Sequence, residues 1–155
     1  MKQNYLRNLE TTDPEFSDFF SRFAGEEVIN EPGKTLDDRT RYMAVLAALL
    51  GCQGRELFRE VLSQALDAGV TPVEVKEIVY QATAYLGIGR SYPFLNITNE
   101  VLEARGVSLP LPDQATTTPE DRVQKGEDKQ VELFGEQYRG ASTSGPEESR
   151  HINRW

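Results

Sequence analysis

Residues 55–87 read RELFREVLSQALDAGVTPVEVKEIVYQATAYLG, and two helices with the link between them are legible in that stretch. Thr71-Pro72-Val73-Glu74 puts a hydroxyl at the N-cap, a proline at the first helical position and a glutamate two residues further on. That is a capping box, in which the threonine and glutamate side chains satisfy each other's orphan backbone N–H groups. Val75, Ile78, Val79, Ala82 and Leu86 then recur at helical spacing, and Gly87 stands where a C-cap belongs. Upstream, Leu57, Phe58, Val61, Leu62 and Ala65 form one apolar stripe over Arg55–Ala68, closed by Gly69. The short Gly69-Val70 link predicts an antiparallel hairpin with the two helices in direct contact.

Working outward, Thr35 and Asp38 open a third helix whose second half, Tyr42–Leu50, is apolar nearly all round, so it needs cover on several sides. Gly51–Gly54 breaks it. Asp13-Pro14 opens a short helix carrying Phe16, Phe19, Phe20 and Phe23, and Tyr92–Arg105 reads as another, stopped by Gly106. No segment alternates as a strand does. The fold class is therefore all-α, a small helical bundle round a central antiparallel hairpin. A proline-bearing linker (108–117) leads to a mostly polar helix (118–139), which extends the chain as a C-terminal arm. A glycine-flanked joint and tail (140–155) follow, while 1–35 is an N-terminal helical segment and 36–107 the main helical domain.

At 155 residues and 38% apolar content, the chain has the material for one core. Seventeen basic residues against 25 acidic give a net charge of −8, with no basic cluster, so neither nucleic acid nor an anionic membrane is an expected partner. No apolar run approaches the roughly 20 residues of a membrane span, and MKQNYLRNLE lacks a secretory core, so the expected location is the cytoplasm. Cys52 is the only cysteine and His151 the only histidine. One of each excludes an internal disulfide, a CxxC redox pair and a Cys/His zinc cage, so no metal or other cofactor is expected. There is no GxGxxG or Walker A pattern to hold a nucleotide.

Pro14–Phe23 aligns without gaps on Pro146–Trp155, with four of ten positions identical and an aromatic residue last in both. Separately, through LDDRTRYMAVLAALLGC (36–52), the run from Ala65 to Glu77 and the closing Tyr85-Leu86-Gly87, the stretch 36–107 resembles the carboxymuconolactone decarboxylase family. The tail of the chain, GPEESRHINRW (145–155), is similar to sequence leading into the second repeat of a tandem-repeat subgroup. The resemblance implies a small all-α bundle of alkylhydroperoxidase D type, assembled as a homo-oligomer (trimer or hexamer). It implies decarboxylase or lactone-processing chemistry on a small carboxylated substrate.

Two positions depart from that resemblance. The peroxidase branch uses a CxxC pair with a nearby histidine; Cys52 stands at the first cysteine, but the second falls on Arg55 and the histidine on Arg59. Without a resolving thiol a dithiol peroxidase cycle does not close within the chain, so the peroxidase-like alternative rests on Cys52 alone. Arginine is no proton donor at neutral pH, but its planar fork binds carboxylates. Arg59 and Arg55 lie on the margins of the apolar stripe, and Arg90 follows the Gly87 turn; these three are the candidate substrate-binding residues for a small anionic substrate. Glu56, Tyr42 and Tyr85 are candidate proton donors or orienting groups. A third reading is a non-catalytic structural repeat of a larger or oligomeric enzyme, suggested by the missing histidine and CxxC.

Overall fold

The capping box forms as the sequence dictates: Glu74 N–H donates to the Thr71 hydroxyl at 3.3 Å, and Thr71 N–H donates to Glu74 Oε2 at 2.9 Å. The computed structural model describes residues 6–33 and 36–154 and contains helices but no strand among them. The main helices are α1 (Pro14–Arg22), α2 (Asp38–Gly51), α3 (Arg55–Asp67), α4 (Pro72–Leu86), α5 (Ile88–Ala104) and α6 (Arg122–Phe134). A π-helical turn, Phe23–Glu27, continues α1. Thr35 lies outside the described residues; Asp37 is the N-cap of α2, its carboxylate accepting from Thr40 N–H at 2.9 Å.

Helices α2 to α5 form the bundle, and side-chain pairs give its directions. Tyr42 at the start of α2 meets Gln64 near the end of α3, so those two helices run antiparallel. Lys76 with Asn99, and Thr83 with Ser91, make α4 and α5 antiparallel as well. Helices α3 and α5 run parallel, since Arg59 meets Glu100 and, further along both, Asp67 meets Arg105. An Arg39–Glu74 pair joins the starts of α2 and α4.

In one respect the packing differs from the expected hairpin. Helices α3 and α4 run antiparallel, but each packs chiefly on α2 and α5, so the ring order is α2, α3, α5, α4 and the two linked helices sit across a diagonal. A two-residue link fixes how near two helix ends lie, not which flanks touch. Gly69 (φ +91°) and Val70 return their N–H groups to Leu66 and Ala65 at 3.1 and 3.0 Å, closing α3 with a Schellman cap before α4 departs.

The core is drawn from all four helices. Leu46, Leu50, Val61, Leu62 and Val75 are fully buried, and at the centre Phe58 meets Phe94 edge to face, ring centroids 5.0 Å apart. Helix α5 begins at Ile88, four residues before its expected start. Pro93 therefore lies inside it, where it has no N–H to donate to the carbonyl one turn back.

The chain falls into two compact units, 1–111 and 112–155. In the second, Thr118–Asp121 form a turn with Thr118 N–H donating to Asp121 Oδ1 at 2.6 Å, so α6 starts at Arg122 rather than at Thr118. No residue of α6 is buried. Phe134 rests on Tyr138, ring centroids 5.4 Å apart, and the tail from Glu147 to Arg154 is a 3₁₀ segment. The Trp155 half of its match to Phe23 lies outside the described residues. No helix among the described residues is long and apolar enough to cross a membrane.

Candidate functional site at one end of the bundle

Helix parity decides which candidates come together. With α2 antiparallel to α3, α3 parallel to α5, and α5 antiparallel to α4, the α2–α3 turn and the α4–α5 turn lie at the same end of the bundle. Cys52, Arg55, Glu56, Tyr85 and Arg90 all belong to those turns or to the helical residues beside them, and Arg59 stands one turn up α3. Tyr42 is not among them. It lies nine residues before the end of α2, about 13 Å along the axis, is 7% exposed, and donates its hydroxyl to Gln64 Oε1 at 3.3 Å.

Each turn is built by backbone chemistry. At α2, Gln53 adopts φ +64°, the left-handed conformation usually left to glycine, and its N–H reaches Leu50 O at 3.2 Å. Gly54 N–H reaches Leu49 O at 2.8 Å, so Cys52 and Gln53 are held in a Schellman cap between the two helices. Cys52 is an exposed free cysteine whose thiol donates to Leu49 O at 3.5 Å. At α4, Gly87 (φ +79°) ends one helix and caps the next, its carbonyl accepting from Arg90 N–H at 3.1 Å and Ser91 N–H at 3.2 Å.

The charges at this end differ in how far they are engaged. Arg59 donates to Glu100 Oε2 at 2.5 Å, both side chains being substantially exposed. Nothing in the sequence signals this partner, which lies 41 residues away. Glu56 and Tyr85 are exposed, Tyr85 at 88%. Arg55 and Arg90 are exposed and make no side-chain ion pair or hydrogen bond among the described residues. The arrangement offers two open guanidinium forks, a carboxylate and a phenol to a ligand arriving from solvent. No group of three or more metal-ligating acids, cysteines or histidines occurs among the described residues.

Carboxylates held below their ordinary range sit at other places. Asp37 is lowered first by the Thr40 N–H and next by the Thr40 hydroxyl, Asp121 by Lys125, and Glu136 by Arg139. Two apolar grooves also lie away from this end, along α1.

Comparison with known proteins bears on this geometry. The model of the carboxymuconolactone decarboxylase family matches residues 14–100, from the start of α1 through most of α5. The match thus reaches further toward the N-terminus than the resemblance from residue 36 and leaves α6 outside. A 4-carboxymuconolactone decarboxylase of Acinetobacter baylyi is 32% identical over 103 residues, 66% of this chain and 75% of that protein. No solved structure matches. The chain belongs to the carboxymuconolactone decarboxylase family.

Proposed function

We propose that the chain decarboxylates, or otherwise processes, a small lactone carrying a carboxylate, at the end of the bundle that holds both the α2–α3 and the α4–α5 turn. The observation that carries this reading is the pair of uncommitted guanidinium groups, Arg55 and Arg90, at that end. Such forks bind carboxylate oxygens bidentately. Arg59, held by Glu100, is a reserve cation that a bound anion has to win from its partner. Loss of CO₂ leaves an electron pair on carbon that must take a proton; with no histidine at residue 59, the candidate donors at that end are Tyr85, through its O–H, and Glu56 in its acid form. The relative from Acinetobacter baylyi suggests 4-carboxymuconolactone as the first substrate to try.

Turnover of that lactone, followed by CO₂ release, tests the reading. Arg55→Ala and Arg90→Ala are expected to raise KM by about three- to tenfold each, the modest effect of an exposed charge-assisted contact. Glu56→Gln or Tyr85→Phe is expected to lower kcat, and Cys52→Ser to leave turnover unchanged. Absence of turnover in the unaltered protein, or turnover insensitive to both arginines, refutes it.

A non-catalytic repeat is the second reading, and the exposure of every candidate at this end favours it: the grooves along α1 are lined by other residues. We also propose that the chain forms a homo-oligomer. Helix α6 buries none of its residues, and Tyr80, Tyr85, Ile88 and Tyr92 stand 48–88% exposed on α4 and α5.

A further inference from the structure

Helix α1 is turned the unexpected way round. Ser17 and Ser21 are buried, with the Ser17 hydroxyl donating to Leu6 O at 3.3 Å, while Phe16, Phe19 and Phe23 face out, 59%, 71% and 58% exposed. These phenylalanines recur at i, i+3 and i+7, so they line one side of the helix. They border a trough of about 500 Å³, and Phe20 and Phe23 carry it on into a second groove of about 690 Å³ with Ile29 and Val45 in its wall. The two grooves share Phe20 and Phe23 and flank residues 14–27, a stretch about 20 Å long at helical rise, and are taken together as the α1 channel. That is room for a helix of about four turns, and contiguous exposed apolar surface of this kind marks a binding face.

The rim decides what fits. Among the described residues, its open charged side chains are Glu15, Glu27 and Glu31. Among the described residues of the lining the one cation, Arg41, is already committed to Asp38 Oδ1 and Leu36 O, both at 2.7 Å. Between Glu10 and Glu31 the chain carries seven carboxylates and a single cation, Arg22, which is paired with Asp18 at 2.7 Å. Two copies meeting through this face would set acid against acid, and an anionic lipid surface would be repelled in the same way. We propose that the α1 channel docks an amphipathic helix of another protein whose apolar stripe is flanked by lysine or arginine, the helix-in-groove mode with charge complementarity at the rim.

The probe is a fluorescein-labelled peptide of roughly 18 residues with leucines at i, i+3, i+4 and i+7 and lysines beside them; its control carries glutamates for the lysines. Titration of the full chain into the lysine peptide is expected to give saturable anisotropy, with the glutamate peptide bound at least about tenfold more weakly. Phe19→Asp and the double variant Glu27→Lys/Glu31→Lys are each expected to weaken binding by about tenfold, and raised salt to weaken it further. All three altered side chains are exposed, so an unchanged melting curve shows that the bundle is intact. The proposal is overturned by absence of saturable binding, by equal binding of both peptides, or by binding indifferent to Phe19→Asp. It is overturned too if the unaltered chain sediments as an oligomer that Phe19→Asp dissociates, because the occupant is then a second copy.

Discussion

Gly87 carries the reversal between α4 and α5, and replacing it with alanine isolates the conformational cost of that reversal. Its backbone sits at φ +79°, ψ 152°, a region essentially reserved for glycine, and a Cβ built there meets nothing within 4 Å. Collision therefore adds nothing to the cost. Holding an L-residue in such a conformation costs about 1–3 kcal/mol, and the alanine recovers about 0.4–1 kcal/mol by restricting the unfolded chain. The net expectation for Gly87→Ala is a loss of about 1–2 kcal/mol. Gly89, two residues on, supplies the control: it is helical, has no positive φ, and its Cβ also meets open space. Gly89→Ala is expected to stabilise by about 0.5–1 kcal/mol through helix propensity. Urea unfolding followed by circular dichroism, with a common slope, reads both as midpoint shifts of opposite sign. A neutral or stabilising Gly87→Ala would refute the assignment of the turn to this backbone conformation.

Two further outcomes follow from the core and from the start of α2. Phe58→Ala, which removes a fully buried ring packed edge to face on Phe94, is expected to cost about 3–5 kcal/mol, and a loss below about 1 kcal/mol in the same unfolding assay would contradict the packing. The Asp37 carboxyl is held below 3.8 in the folded state, chiefly by Thr40 N–H, so its contribution is present above the unfolded value and is lost as pH falls through the folded one. The stability gap between the unaltered chain and Asp37→Ala should stay constant at neutral pH and narrow below about pH 4; a gap that persists unchanged in acid argues against the cap.

What was legible in the sequence was local. The Thr71–Glu74 capping box, the Gly69 and Gly87 stops and the stripe from Leu57 to Ala65 each act within about four residues, and each stands where the pattern puts it. What the sequence hid was non-local. The pairing of Arg59 with Glu100 spans 41 residues and has no spacing signature. The start of α5 was hidden because Pro93 imitates a first-turn proline, whereas the reversal at Gly87 begins the helix at Ile88. Helix α1 shows a third kind of loss: periodicity establishes that the phenylalanines share a side, but the inward face is the one with Ser17 and Ser21, whose small side chains let the segment at Leu6 approach.

The gathering of the candidate residues follows from the same division. Cys52, Arg55, Tyr85 and Arg90 are scattered over 39 positions, yet each lies beside a helix break that the sequence does display. Once the helices alternate in direction, breaks separated by two helices must fall at the same end, whatever the lateral order of the bundle. The diagonal placement of α3 and α4 therefore leaves the composition of that end unchanged, although it alters which flanks touch. Lateral order governs the electrostatics instead. Because α5, not α4, lies against α3, the cation at residue 59 meets Glu100 and is partly neutralised, while Arg55, at the first residue of α3, and Arg90, at the start of α5, remain open. On the proposed reading of this end, an approaching anion meets those two guanidinium groups before it has to compete with the carboxylate paired to Arg59.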